Sequence, residues 1–285
     1  KGNESVLQDN PHLRSVLIWD KKSDKYKNLK ILAKRIKGEN YGVLLNLQRF
    51  ASSGYLSWKS KAKLIVGFKK NPLSFSYHKK IAHEIGNGRH EIERNHDLLS
   101  AIGDFELSKP RLYPSQKQMD KIDEIGLPDD YVVMAPASVW ETKRLPKLKW
   151  VELLNQLKDV KVFLIGSPSD EYYLSDIGRS SDHKNWVCSA GSQSLLESAY
   201  VISKASMTYV NDSAPLHLAS AMNATVTAFF CSTIPEFGFG PLSDDSTTVE
   251  ITEKLDCRPC GLHGKSSCPK GHFKCGEEID VTIAK

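Results

Sequence analysis

The sequence predicts an α/β protein of two domains, the second built on a doubly wound parallel sheet. Three observations carry that prediction. The chain has 285 residues and 40% hydrophobic content, enough for two cores rather than one. From Tyr131 onward, short continuous apolar runs alternate with helical segments, the pattern of strands covered on both faces and joined by helical crossovers. Charge is also divided, with 24 Lys and Arg against 14 Asp and Glu in residues 1–128 (net +10) and 15 against 20 in residues 129–285 (net −5).

In the first half, SVLIW (15–19), YGVLLNL (41–47) and KLIVGF (63–68) read as buried strands in an α/β rhythm. Residues 28–37 put Leu29, Leu32 and Ile36 on one helical face, and Gly38 stops that helix. Residues 69–92, rich in His, Lys, Gly and Asn, lack a clear period and read as a long irregular excursion. A helix over 93–102 follows, then a proline-bearing stretch with one helix between Ser115 and Ile125. The domain boundary is placed there, giving domains 1–125 and 126–285. The second half reads as strands YVVMAP, KVFLIG, NWVCSA, MTYVND, TVTAFF and TTVEI, with helices over 147–157, 171–179, 195–204 and 215–222.

Composition excludes several classes. No run of eighteen apolar residues is present, so no transmembrane helix is expected. There is no signal peptide, and six cysteines are too few for a disulfide-stapled secreted protein, so a reducing cytoplasm is the expected setting. The first residue is Lys rather than Met, which suggests a chain that begins inside a longer product. The basic stretches DKKSDKYKNLKILAKRIKG and SWKSKAKLIVGFKK read as solvated helix faces, or as attraction to an anionic surface such as lipid head groups or phosphorylated sugars. Nucleic acid is disfavoured, because no basic stripe is interleaved with aromatics. A nicotinamide enzyme would call for Gly-x-Gly-x-x-Gly at a first strand-to-helix turn, and that pattern is missing.

Ligands of a doubly wound sheet gather beyond the carboxyl ends of its strands, where helix amino termini present free N–H groups. The stretches there are APASVWETKRLP, GSPSDE, AGSQS and NDSAPLHLA, all small or polar, which suits a ligand bearing phosphates. Asp212 and Ser213 are placed to cap the next helix, with His217 about one turn inside it. Alone, the trio reads equally as an ordinary cap beside a packed histidine. Lys143 and Arg144 change the balance, since two cations before a helix opened by Pro146 can neutralise a diphosphate.

APASVWETKRLPKLKW, GSPSDE, NDSAPLHLASAMNATVTAFF and CRPCGLHGKSSCPKGHFKC together resemble the bacterial lipopolysaccharide heptosyltransferases of glycosyltransferase family 9. The last motif is most similar to the heptosyltransferase II branch, and YGVLLNLQRFASSGYLSWKSKAKLIVGF resembles the family's amino-terminal domain. The resemblance implies a GT-B fold, two Rossmann-like domains facing across a cleft, the carboxyl-terminal one holding a nucleotide sugar, usually ADP-L-glycero-D-manno-heptose. By similarity, Ser138 and Lys143, with Arg144 beside them, would meet the phosphates. Glu171 or Asp170 would take the ribose hydroxyls, and Asp212, Ser213 and Ala214 the phosphate and sugar, with His217 behind. The family more often has glycine at the place of Ala214, whose methyl would crowd the backbone approach to the ligand.

The resemblance further implies inverting transfer to a lipid A–core acceptor at the inner membrane surface, by an enzyme that is cytoplasmic or peripheral on that leaflet. No cofactor is expected beyond the donor substrate. Because no Asp-x-Asp pair occurs in the sequence, metal-independent transfer is expected, with Lys143 and helix N–H groups stabilising the leaving phosphates. The family's general base is an aspartate in a Gly-rich loop after its first strand, and it has no counterpart here. SVLIW corresponds to a later strand, so the opening strand, loop and helix are expected to be missing and no catalytic base is assigned. The alternatives are a family 9 transferase using another nucleotide sugar, and a non-catalytic relative that binds nucleotide sugar or lipid. Cys257, Cys260, Cys268 and Cys275, with His263 and His272 nearby, can be arranged around zinc. Their spacing departs from common zinc ribbons, so reduced thiols or an adventitious disulfide is the preferred reading and no metal is assigned.

Overall fold

The computed structural model describes residues 3–284. They form two compact units, one spanning His12–Ser108 and the other Ser5–Pro11 with Lys109 onward. The division falls at 108/109 rather than after 125 because the helix at Gln116–Asp123 packs by its own core residue, Ile122, into the second unit.

The first unit runs α1 (Lys25–Gly38), β1 (Val43–Asn46), α2 (Ala51–Ser60), β2 (Leu64–Phe68), β3 (Lys79–Ile81) and α3 (Glu91–His96). Its sheet is parallel in the order β1-β2-β3. SVLIW is not a strand: residues 15–19 belong to no ladder, and Val16 and Ile18 are exposed, so burial gives that run no reason to pair. β3 lies inside the stretch expected to be irregular, where Lys79 and Lys80 suit a solvated edge strand. A small core of Val66, Phe68 and Leu98 lies on one side of β2, and Ile65, Ala62 and Tyr77 form another cluster. Between strand and helix, buried Asn46 donates to Ser57 Oγ at 2.9 Å and Tyr77 Oη at 2.8 Å, so its amide is satisfied.

The second unit contains α4 (Gln116–Asp123), β4 (Tyr131–Ala135), α5 (Lys147–Gln156), β5 (Lys161–Leu164), α6 (Glu171–Ser180), β6 (Trp186–Cys188), α7 (Leu195–Lys204), β7 (Met207–Asn211), α8 (Ala214–Met222), β8 (Val226–Phe230), β9 (Ser246–Glu250) and α9 (Lys274–Glu277). Every strand expected there forms. The six strands are all parallel in the order β6-β5-β4-β7-β8-β9. One face is covered by Trp150, Leu153, Leu154, Leu174 and Ile177, and the other by Ala199, Ile202, Leu216 and Ala219. Both faces are thus dry, which explains why the strands read as unbroken apolar runs. Trp150 meets Phe229 edge-on at 5.3 Å, and Tyr131 closes the opposite layer by donating its hydroxyl to the Val201 carbonyl at 2.6 Å. Each such large side chain, removed from water, contributes roughly 2–3 kcal/mol before entropy is counted.

Strand order fixes where a ligand can sit. From β4 the chain crosses to β5 on one side, and from β7 it crosses to β8 on the other. The loops leaving adjacent strands β4 and β7 therefore diverge and open a crevice at their carboxyl ends.

Candidate functional site

That crevice is occupied by Lys143 and Asp212. Lys143 ends a 3₁₀ turn, Glu141–Lys143, in the loop after β4, and Asp212 directly follows β7. The Lys143 ammonium lies 2.5 Å from Asp212 Oδ2, and the Thr233 hydroxyl donates to the same oxygen at 2.6 Å. Loops from β4, β7 and β8 thus converge on one carboxylate, which is buried to 5% exposure. Both of these contacts fall on Oδ2.

Local sequence explains the precision of this placement. Asn211, the last residue of β7 and fully buried, donates Nδ2 to the Pro136 carbonyl at 2.7 Å and accepts the Leu145 N–H on Oδ1 at 2.9 Å, tying both ends of the 136–145 loop to β7. Inside the loop, buried Thr142 donates its N–H to Lys265 O at 3.1 Å and accepts the Lys265 N–H at 2.8 Å and the Ser232 hydroxyl at 2.9 Å. At Gly264 an added Cβ would stand 2.4 Å from Trp140 Cβ and 2.8 Å from Lys143 Cγ, so the tail backbone presses directly on the lysine stem. Arg258 secures that tail by donating to the carbonyls of Cys231 at 2.6 Å, Phe230 at 3.1 Å and Thr233 at 2.8 Å, and it pairs with Glu250.

The expected site residues divide into groups. Ser213 occupies the amino-terminal cap position of α8, yet its hydroxyl donates back to the Asn211 carbonyl at 3.4 Å instead of capping the helix. Pro215 carries no N–H and the Leu216 N–H donates to the Ser213 carbonyl at 3.1 Å, so of the first three helical residues Ala214 alone has an N–H left without a side-chain cap. Ala214 is exposed, and its backbone is outside the left-handed region, so glycine's conformational freedom is not required there. His217 is exposed one turn further on.

Arg144 departs from Lys143. Its guanidinium stacks on the Tyr173 ring at 4.7 Å, donates to the Ser138 carbonyl at 2.9 Å and pairs with Glu141 at 3.1 Å. It braces Ser138 rather than reaching Asp212. Burial pushes the Tyr173 phenol up, against the pull of the Arg144 cation. A cavity of about 500 Å³ lies on this side, bordered by Arg144, Lys147, Tyr173, Cys268 and Glu277. Lys143 and Asp212 do not border it.

At the start of α6, Asp170 Oδ2 accepts the Ser167 N–H at 2.8 Å and the Ser167 hydroxyl at 2.5 Å, so that carboxylate is committed to its own turn. Glu171 is exposed next to it. Neither contacts the Lys143–Asp212 pair.

The tail cysteines are free thiols. Burial, reinforced by neighbouring thiols, pushes Cys275 up to about 11. At Cys268 burial also raises the thiol, but backbone N–H groups of residues 270–273 outweigh it and hold it below the ordinary value. Cys257 Sγ lies 3.8 Å from His272 Nε2, and no three His, Cys, Asp or Glu side chains among the described residues are grouped to hold a metal.

Sequence reasoning missed Asn211, Thr233, Thr142 and Arg258. Asn211 was within reach because it ends β7, whereas Thr233 lies in the loop beyond β8. Thr142 and Arg258 act through contacts between segments more than 100 and about 25 residues apart, which no local pattern reveals.

Comparison with known proteins gives the geometry its family. Residues 30–267 match glycosyltransferase family 9 (heptosyltransferase). Lipopolysaccharide heptosyltransferase 3 of Escherichia coli (strain K12) is 26% identical over 250 residues, covering 80% of this chain and 71% of that protein. The glycosyl transferase family 9 structure from Veillonella parvula DSM 2008 superposes with a TM-score of 0.80 at 19% identity, over 89% of this chain and 76% of that one. The E. coli ADP-heptose lipopolysaccharide heptosyltransferase II structure gives 0.68 at 18% identity, over 83% and 78%. The chain belongs to glycosyltransferase family 9 (heptosyltransferase) and is a glycosyltransferase of the GT-B fold.

Proposed function

We propose that the chain transfers heptose from ADP-heptose to the inner core of lipopolysaccharide, with inversion at the anomeric carbon and without a divalent metal. One observation carries this reading: the Lys143–Asp212 pair sits at the switch point between β4 and β7, beside the uncapped start of α8. The family match and the named relatives support the sugar and acceptor classes.

In the transfer, the acceptor oxygen attacks the anomeric carbon from one face while the bond to the diphosphate breaks on the other. The leaving phosphate keeps the bonding pair, and the acceptor gives up its proton to a general base. Negative charge grows on the phosphate and positive character on the sugar ring. Lys143 supplies a preplaced cation to that phosphate, the role a metal ion plays in metal-dependent transferases, and the Ala214 N–H at the start of α8 adds its dipole. Asp212 holds Lys143 in line through Oδ2 and offers Oδ1 to a sugar hydroxyl. Glu171, with an exposed carboxylate, takes the ribose hydroxyls, because Asp170 is occupied by Ser167. Ser138 meets a phosphate from a loop that Arg144 braces, and His217 backs the start of α8.

The acceptor side is assigned to the basic first unit, acting at the cytoplasmic face of the inner membrane. The net charge of +10 over residues 1–128 supports this.

Calorimetric titration with ADP, UDP and NAD tests the donor reading. ADP should bind best, and Lys143→Ala should weaken that binding. Equal affinity for UDP, or undiminished ADP binding by Lys143→Ala, would overturn it. An assay with ADP-heptose and a heptose-deficient core acceptor, with and without chelator, tests the rest. Loss of turnover on chelation or a product of retained configuration would refute metal-free inversion.

A further inference from the structure

Lys143 has two anions to serve. Its ammonium rests on Asp212 Oδ2 at 2.5 Å, whereas the donor chemistry needs it on a phosphate. Turning toward the phosphate draws a charged donor away from a carboxylate that is only 5% exposed, and a buried carboxylate deprived of donors is destabilised. The group that stays behind is Thr233. Its hydroxyl donates to the same oxygen at 2.6 Å, and the proton of that contact belongs to Thr233 because an ionised carboxylate only accepts.

The fold fixes Thr233 in place. It lies in the loop beyond β8, is 1% exposed, and its carbonyl accepts from Arg258 at 2.8 Å. Its neighbour Ser232 donates its N–H to the Thr142 carbonyl at 3.2 Å and its hydroxyl to Thr142 Oγ1 at 2.9 Å, while the Ser232 carbonyl accepts the Cys260 N–H at 3.0 Å. The backbone around the hydroxyl is thus tied to the tail and to the loop after β4, and a β-branched side chain has few rotamers left. The Lys143 ammonium, by contrast, sits at the end of a four-carbon stem, and its side chain keeps 16% exposure. One donor on Oδ2 is anchored and the other is movable.

We propose that Thr233 is a positioning residue for the donor's phosphate: it keeps Asp212 supplied with a hydrogen bond while Lys143 turns from that carboxylate to the ligand. The assignment rests on the donor reading given above. Thr233 acts through Asp212 and does not touch the ligand, and its proton stays on its own oxygen throughout. Without the hydroxyl, the ammonium would be the carboxylate's one remaining side-chain donor among the described residues, and Asp212 would compete with phosphate for it. A space-filling role would be met by valine, which keeps the branched shape. A role through Asp212 would not.

Calorimetric titration of the full chain with ADP tests this on the parent, Thr233→Val, Thr233→Ser, Asp212→Asn and the double variant Thr233→Val with Asp212→Asn. Thermal melting confirms that each folds, and Thr233→Ala replaces the valine variant, with the same expectations, if valine does not pack beside the carboxylate. Thr233→Val should bind ADP about tenfold more weakly than the parent, the effect of one hydrogen bond to a charged group. Thr233→Ser should stay within about threefold of the parent, because the hydroxyl is retained. With Asn already at position 212, Thr233→Val should change affinity by less than about twofold, since a neutral amide does not hold the ammonium as an anion does. Parent-level binding by the valine variant, or a serine variant as weak as valine, would overturn the assignment. So would an equal loss in the Asp212→Asn background, which would place the effect in packing. Any of these with ADP binding by the parent intact removes the role of Thr233 alone, whereas failure of the parent to bind ADP removes the donor reading and this role together.

Discussion

Lys143→Met removes the ammonium from the crevice while keeping most of the stem that Gly264 presses on. Asp212, 5% exposed, would keep a single side-chain donor, the Thr233 hydroxyl at 2.6 Å. Deleting one partner of a buried ion pair costs about 3–5 kcal/mol, because the remaining charge stays desolvated. The Lys143 side chain retains 16% exposure, which places the cost at the lower end, about 3 kcal/mol. At about 2–4 °C per kcal/mol for a domain of this size, the second unit should melt roughly 6–12 °C lower. Lys143→Met with Asp212→Asn leaves no unpaired charge and should regain most of that loss. ADP affinity separates scaffold from function, since both variants lack the charged donor to phosphate and should bind about 10- to 100-fold more weakly than the parent. Differential scanning calorimetry and titration with ADP measure the two quantities. A single variant melting within about 1 °C of the parent would refute the buried-pair reasoning. A double variant that recovers ADP affinity along with stability would show that the pair only holds the loop.

Two further outcomes follow from the same contacts. Arg258→Ala strips donors from the carbonyls of Phe230, Cys231 and Thr233 and should cost about 3 kcal/mol, with earlier proteolytic cleavage inside 252–273; a cleavage rate equal to the parent's would contradict the anchoring role. At Glu197, burial raises the carboxyl, but the Lys121 ammonium together with the Ser194 N–H and hydroxyl outweighs it, so the folded value lies below the unfolded 4.5. Its stabilisation is therefore complete above pH 4.5 and fades as pH falls through the lowered folded value. Urea unfolding of Glu197→Gln should show a stability deficit at neutral pH that shrinks on acidification, and a deficit constant with pH would contradict the assignment.

The same contrast between dry and wet surface explains what could be read from the sequence. TVTAFF became β8 because Val226, Ala228, Phe229 and Phe230 are buried on both faces, so the apolar run and the strand coincide. SVLIW is as apolar but keeps Val16 and Ile18 in water, and β3 is a strand despite Lys79 and Lys80 because it pairs with β2 at the edge of the sheet, where both lysines stay exposed. Position in the loops after β4 and β7 singled out Lys143 and Asp212 in the sequence. It was not enough to show that they pair, because the pairing depends on β4 and β7 being neighbours, a fact of strand order.

Lys143 and Arg144 show why residue type alone underdetermines a site. They are adjacent cations in one loop, and the sequence assigned both to phosphate. Thr142 is held by Lys265 and Ser232, and Leu145 is held by Asn211, so the two residues between these anchors have little freedom to choose a direction. The anchored backbone sends the first side chain to Asp212 and the second to Tyr173. Each cation suits its destination: the ammonium is a compact charge that can pass from carboxylate to phosphate, whereas the planar guanidinium stacks on an aromatic ring while bridging Ser138 and Glu141. The loop therefore separates a cation paired with Asp212 from one committed to holding the loop, and it does so through hydrogen bonds of Thr142 and Leu145 to Lys265, Ser232 and Asn211, which lie outside the loop.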